Sequence, residues 1–544
     1  MKRRPEIAEV LIIGAGASGA TAAKVLTEAG VNVVALERGP WRRPDEFSGD
    51  EIKYINRTFL WEDQLLKPRT KREHSGEEAV VTRFSPTPQT VGGGTTHWNA
   101  QFPRPTVDDL RVRSVYGEVD GMTLADWPVT YEELEPYFTK IEWEFGASGK
   151  GGINRYEGPR SADYPCPPAP LTGYGKAFYK GCDELGLNAF PFPMAMVTTP
   201  HKGRTPQVHS GFWQEYGEPT TAKSTTLTSF IPEALATGRF ELRPDCYVRE
   251  LTIDGRGRVD GAIYLDAEGH EIEQRAQAVI LCCGGIETTR LLLLSRSDRF
   301  PDGLANSSGR VGRNAMFHEY VFAIGLFDQE TQSPLRGWSG SYTGAATYEF
   351  YKTDMSRGHI LGGIAAGSTL GHPINWNFPG RPAWGQAAKD ADRDFFNHTM
   401  KIGVPIQDVP QESNVVDLDP TVVDAWGLPV ARITARPHVN DLAQAKWTVD
   451  RCAEVLQAAG AAKVMPVYMD RFNGNCSHEM GMARMGDDPS TSVVDRWCRA
   501  HDVDNLYVFD GSVFPTSLGA NPTLTLMANA WRCAEHILDE KRKG

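Results

Sequence analysis

Three glycines in Gly14-Ala15-Gly16-Ala17-Ser18-Gly19 stand between an apolar run, Val10–Ile13, and a stretch of small residues. This spacing is the fingerprint of a dinucleotide pyrophosphate site. Gly14 permits a tight turn, Gly16 lets backbone N–H groups approach phosphate oxygens, and Gly19 lets a helix pack closely on the preceding strand. The N-terminus of that helix adds partial positive charge. Glu37, 18 residues after Gly19, ends a second apolar run and is placed to accept hydrogen bonds from ribose hydroxyls. The motif does not by itself choose between NAD and FAD. No second fingerprint with a strand before it occurs in the chain, so one bound dinucleotide is the simpler reading.

Other reactive groupings are incomplete. His478-Glu479 begins like a zinc-binding HExxH, but position 482 is Met and the second ligand is missing. Gly16-Ala17-Ser18-Gly19 is one residue short of a GxSxG nucleophile elbow, and there is no Walker A sequence. Gly92-Gly93-Gly94, followed by His97 and Trp98, brings backbone close to something flat or charged.

The elements that must position these residues follow from pattern. A strand over Val10–Ile13, a helix from about Ser18 to Ala29 and a strand over Val31–Leu36 form the first unit. Thr130-Tyr131-Glu132-Glu133 has capping-box spacing and opens a helix through about Phe145. Turns at Asp254-Gly255 and Glu268-Gly269 separate strands. A buried strand, Ala278–Cys282, then meets Gly284-Gly285 and enters a helix, so the same sheet is revisited. A strand over Leu506–Phe509 ends in Asp510-Gly511-Ser512, and a last helix runs from about Thr523 to Leu538. Residues 321–470 are less regular and read as a separate substrate-facing domain. Trp376 and Trp384 there could stack on a sugar ring, although core or lid packing is the favoured role.

Composition bounds the partners. Lys and Arg number 57 against 69 Asp and Glu in 544 residues, and a net charge of −12 argues against nucleic acid. No run of 18 apolar residues occurs, so no transmembrane helix is expected. The basic start resembles a signal peptide, but its apolar run is short and belongs to the glycine motif, so it reads as mature protein. Nine cysteines, with Cys282 and Cys283 adjacent, do not suggest a disulfide framework. A cytoplasmic location is the default, and periplasmic export with a signal-bearing subunit would leave no trace. Asn56-Arg57-Thr58 and Asn397-His398-Thr399 fit a glycosylation pattern that matters only on a secretory route.

Five segments together resemble the glucose–methanol–choline (GMC) family of FAD oxidoreductases. They are GAGASG with Glu37, GGGTTHWN at 92–99, CCGGIETTRLLLLS at 282–295, NSSGRVGRN at 306–314, and the block from His478 to Thr525. Within the family the chain is similar to pyranose 2-oxidase and to the flavoproteins of bacterial gluconate, fructose and glucose dehydrogenases. DWPVTYEELEPYF at 126–138 also looks like that branch.

The resemblance implies an α/β (α+β overall) chain, with a Rossmann-like FAD-binding domain and a discontinuous, sheet-based substrate domain. The implied boundaries are 1–110, 226–320 and 471–544 for the FAD-binding parts, 111–225 for a cap segment and 321–470 for the substrate-binding domain. It implies a catalytic pair, His478 in SHEMGMARMG and Asn521 in ANPTLT. Alcohol oxidation removes a hydroxyl proton and a carbon-bound hydride, and imidazole suits the proton. Asn521 can hold the same hydroxyl without competing as a base. The implied cofactor-binding set is Gly14, Gly16, Ala17, Ser18, Gly19, Glu37, Arg38, Gly92, Gly93, Thr96, His97, Asn99, Val248, Asp510, Gly511, Asn521 and Thr523. His97 precedes Trp98 as in the segment where pyranose 2-oxidase carries a covalent flavin link, so such a link is one expectation there.

The expected reaction is oxidation of a secondary hydroxyl of a sugar, glycoside or related alcohol, with electrons passed to an acceptor other than NAD. The alternatives are an oxygen-reducing oxidase, a non-sugar alcohol dehydrogenase and an FAD-containing lyase. The branch also implies a small companion subunit and a cytochrome or quinone acceptor. One departure stands out. No cysteine lies between Cys182 and Cys246, where relatives carry a cluster-binding group, so no iron–sulfur centre is expected.

Overall fold

Five parallel strands form the sheet on which the first motif sits. Their order is Phe240–Arg243, Val33–Leu36, Ala8–Ile13, Glu271–Leu281 and Leu506–Val508. The computed structural model describes all residues except 1, 5, 49, 57–59, 208–216, 218, 329–343, 352–354, 370–376, 475–477 and 544. Val10, Leu11, Ile12 and Ile13 are all buried, because helices cover the parallel sheet and leave neither face of the strand to water. Helix Ala17–Glu28 follows the first strand, and the final helix, Thr523–Lys543, packs against it. The N-terminal half of Glu271–Leu281 keeps a parallel neighbour, Lys2–Arg3, on one side only. It pairs antiparallel with Val259–Leu265, which in turn pairs with Tyr247–Ile253. The hairpin turns fall at Asp254 and Asp266, each of whose carboxylates accepts backbone N–H groups across its turn.

A second sheet runs Met480–Met482, Arg313–Met316, Val415–Val423, Pro429–Thr434, Arg69–Arg72 and Val80–Thr82. The third is a six-stranded antiparallel sheet: Lys463–Val467, Tyr320–Leu326, Thr399–Pro405, Ala365–Thr369, Ala345–Thr347 and Ala189–Pro191. Its strands come from three stretches of sequence, one of them near residue 190. Side chains alternate between its faces. Val321, Ala323, Met400, Ile402 and Val404 pack under helices Gly173–Glu184 and Val439–Ala459. Tyr320, Phe322, Lys401 and Gly403 take the other face and line a cavity.

The predicted helix after Thr130 is Tyr131–Phe145, closed by the expected reciprocal cap between Thr130 and Glu133. All eight described cysteines are free thiols. Among the described residues no helix is long and apolar enough to cross a membrane.

Candidate active site

The cavity has a volume of about 880 Å³ and lies where the parallel sheet meets the antiparallel one. On the parallel side its wall is backbone. Gly14, at φ +97°, turns the chain so tightly that a β-carbon there would lie 2.4 Å from the Cys282 carbonyl oxygen. Gly93 faces Gly16 closely enough that a β-carbon on it would sit 2.9 Å from the Gly16 α-carbon. Two helices, Ala17–Glu28 and Gly285–Leu294, begin at the carboxyl ends of the adjacent strands Ala8–Ile13 and Glu271–Leu281. Their N-termini therefore converge on one rim of the cavity, and paired positive helix ends favour a bound anion.

The carboxylates on this side are occupied by the protein. Glu37 accepts backbone N–H groups from Ala15 and Gly39, each at 2.8 Å. Asp510 accepts from Gly284 N–H, Thr288 Oγ1, Ser512 N–H and Ser512 Oγ, which pins the strand end to the second helix N-terminus. Glu479 accepts from Arg69, Ser85 and the Ile286 N–H. Burial pushes all three carboxyl groups up from their usual values, against the hydrogen bonds that hold them down. Arg38 pairs with Glu62 at 3.0 Å, and Lys67, Arg69 and Glu287 complete a buried charge network behind it. Breaking such a network by removing one partner typically costs about 3–5 kcal/mol.

The opposite character appears around His478 and Asn521, which both line the cavity. His478 Nδ1 lies 3.1 Å from Nδ1 of His318, and His318 Nε2 lies 2.6 Å from the Leu518 carbonyl oxygen. Burial, and secondarily the neighbouring His318, hold the His478 imidazole well below its ordinary range, so it is neutral at physiological pH. Burial likewise lowers His318, to about 4. Asn521 donates its amide to Tyr320 Oη at 2.9 Å, while its Oδ1 is buried without a hydrogen-bond partner among the described residues. Asn99 Oδ1 and both ring nitrogens of His97 are also buried without partners among the described residues. Burial and then the charge of Lys223 push His97 down to about 3. Four non-glycine residues around the pair adopt left-handed backbone: Asn314, His318, Met482 and Leu518, with φ between 51° and 69°. Each costs about 1–2 kcal/mol, which the surrounding packing must sustain.

Of the residues singled out from sequence, Gly14, Gly16, Ala17, Ser18, Glu37, Arg38, Gly93, His97, Asn99, Val248, His478, Asp510, Gly511, Asn521 and Thr523 line this one cavity. Gly19, Gly92 and Thr96 stand one layer behind it. A β-carbon on Gly19 would lie 2.0 Å from the Gly14 carbonyl oxygen, so Gly19 shapes the turn through packing. Gly92 backs onto Leu227, and Thr96 Oγ1 donates to the Gly93 carbonyl. Trp384 is 86% exposed and outside the lining; Trp376 and Arg57-Thr58 lie outside the described residues. Sequence reasoning missed Tyr320, Phe322, Lys401 and His318. The alternation in Tyr320-Val321-Phe322-Ala323 was the available signal for the first two. Nothing local marks His318, whose partner is 160 residues away.

The family described as GMC oxidoreductase matches residues 8–320 with its N-terminal part and 410–530 with its C-terminal part. The chain is 34% identical to 2-methyl-1,2-propanediol dehydrogenase of Mycolicibacterium austroafricanum, over 97% of this chain and 95% of that one. It is 31% identical to the gluconate 2-dehydrogenase flavoprotein of Pantoea cypripedii, over 98% and 94%. Among solved structures, an arginine-to-alanine variant of Aspergillus oryzae RIB40 formate oxidase superposes with a TM-score of 0.68. That match has 15% identity and covers 99% of each chain.

Proposed function

We propose, since the chain belongs to the GMC oxidoreductase family and is a flavoprotein oxidoreductase, that it uses FAD to oxidise a secondary hydroxyl of a sugar, glycoside or related alcohol. The observation that carries this reading is the pairing of a neutral, cavity-lining His478 with Asn521 in a cavity whose other side is two glycine turns and two helix N-termini.

The residues present fit the cofactor. The glycine turns and converging helix ends suit a pyrophosphate, and Glu37, with a lone pair left on each oxygen, suits a ribose. The unpartnered atoms of His97 and Asn99 suit the polar edge of a flavin. When bound, the flavin supplies the acceptor for a hydride. His478 takes the hydroxyl proton, a role that suits an imidazole held neutral by burial. Asn521 and Tyr320, already joined to each other, hold the hydroxyl oxygen, and the antiparallel sheet behind Tyr320 and Phe322 keeps water from that side. His97, neutral and with no hydrogen-bond partner for its ring nitrogens among the described residues, is the proposed point of covalent attachment.

A dehydrogenase is favoured over an oxidase, because both relatives of about one-third identity carry that activity in their names. Electrons then pass to a cytochrome or quinone, with a small companion subunit as a further partner and without an iron–sulfur centre in this chain. The proposed location stays cytoplasmic unless such a subunit carries the chain out. The diol of the first relative has its oxidisable C–H at a primary carbinol, which favours a second reading: a small non-sugar alcohol as substrate. The test is anaerobic addition of sugars, sugar acids, glycosides and short diols while the visible flavin band is followed. Bleaching by polyols supports the first reading, and bleaching by short diols alone supports the second. Failure of every alcohol to bleach the flavin sinks both. Admitting air afterwards separates oxidase from dehydrogenase.

A further inference from the structure

The His478–His318 contact determines more than proximity. A carbonyl oxygen can only accept, so the 2.6 Å contact between His318 Nε2 and the Leu518 carbonyl places a hydrogen on that Nε2. Among the described residues no carboxylate reaches the His318 ring. Asp408, the acid next to it, spends its two oxygens on the backbone N–H groups of Phe317 and His318. A neutral His318 therefore has a bare Nδ1. Two ring nitrogens 3.1 Å apart need one hydrogen between them, and His478 Nδ1 must supply it. His478 is left with Nε2 unprotonated and with no hydrogen-bond partner among the described residues.

We propose that His318 is the positioning residue for the reaction: it fixes His478 as the Nδ1–H tautomer, so that the bare Nε2 is the atom that takes the substrate proton. The proposal rests on the reading of His478 as proton acceptor. As the substrate O–H bond breaks, an N–H bond forms at His478 Nε2, and the positive charge stays on that ring. The Nδ1–H continues to be donated to His318. The proton goes no further, because the second nitrogen of His318 already carries the hydrogen that Leu518 accepts.

The backbone around the relay supports a functional role. His318 and Leu518, the two residues joined by the outer hydrogen bond, both sit in left-handed conformations, at φ 51° and 64°. Strain held at both ends of one hydrogen bond is the pattern expected where geometry serves chemistry. Leu518 is also three residues before Asn521, so the same bond ties the loop bearing Asn521 to the ring that orients His478. The Ser517 hydroxyl donates to the Asp408 carbonyl at 2.7 Å and anchors that loop from the other side.

Two measurements test this. In holoenzyme labelled with [15N]histidine, long-range proton–nitrogen correlation reads the tautomer of each ring, and comparison with His478→Gln identifies the His478 signals. The expected result is Nδ1 protonated and Nε2 bare; a His478 protonated at Nε2 overturns the proposal whatever the substrate. The second is the anaerobic rate of flavin reduction in His318→Asn and His318→Gln. Asn places an acceptor near the position of Nδ1, whereas Gln keeps only a donor toward Leu518. The Gln variant should lose roughly 10–100-fold in the limiting reduction rate with little change in the apparent substrate Kd, and Asn should recover much of that loss. Equal rates, or a better Gln variant, would mean that His318 only packs. If no alcohol bleaches the wild-type flavin, the alcohol-oxidation reading fails, and the tautomer measurement still decides this proposal.

Discussion

The two sides of the cavity are built by different means. The side on the parallel sheet presents backbone: glycine turns, helix ends and carboxylates that already accept hydrogen bonds from the protein. The side on the antiparallel sheet presents side chains, several with polar atoms left open, and it carries Lys401 without a carboxylate partner among the described residues. The first arrangement recognises a group whose chemistry is constant, since backbone N–H groups read phosphate and little else. The second can be changed residue by residue without disturbing the sheet. The difference separates what binds a cofactor from what chooses a substrate.

The largest effect should come from attacking the backbone side. Gly19→Val has no room, with the Gly14 carbonyl oxygen 2.0 Å from any β-carbon. It should give protein without bound flavin or no folded protein at all, checked by absorbance of the purified product. His97→Ala should release the flavin from its tether. Acid-denatured wild type keeps a yellow pellet and the variant gives a yellow supernatant; free flavin from the wild type would refute the attachment.

Substitution on the side-chain side should spare the cofactor. Asn521→Ala removes one hydrogen bond to the hydroxyl and should cost about tenfold in kcat/KM with the flavin spectrum intact. A lost spectrum would mean that the two sides are less separable than described. The smallest effect concerns pH. Burial pushes Glu319 up to about 7, against an ordinary value of 4.5, and its Oε1 has no hydrogen-bond partner among the described residues. Between these values the folded protein binds more protons than the unfolded, so this group makes stability fall as pH rises from about 4.5 to about 7. Glu319→Gln keeps the acceptor for the Asn473 and Gly474 N–H groups and removes the charge. Its Tm relative to wild type should therefore be higher at pH 8 than at pH 5, with the underlying stability difference bounded at about 3 kcal/mol. An unchanged difference would refute the buried charge.

The same contrast explains what was legible in the sequence. Backbone recognition needs glycines at fixed offsets, so Gly14, Gly16 and Gly19, their flanking strands and Glu37 could be read within 30 residues. The turns at Asp254-Gly255 and Glu268-Gly269 and the Thr130 cap were equally local. The antiparallel sheet was not. It assembles short strands from near residues 190, 320, 345, 365, 400 and 465, and its edge strand from the cap segment could not be foreseen from periodicity. His318 was invisible for the same reason, since its role depends on a contact made only in the fold.

The most direct test of the central claim compares wild type and His478→Ala by stopped flow under anaerobic conditions, with an alcohol that bleaches the wild-type flavin. The expected result is an unchanged oxidised flavin spectrum and a reduction rate lower by roughly 10²–10⁴-fold. A rate within a few-fold of wild type would contradict the account, because proton removal would then belong to another group.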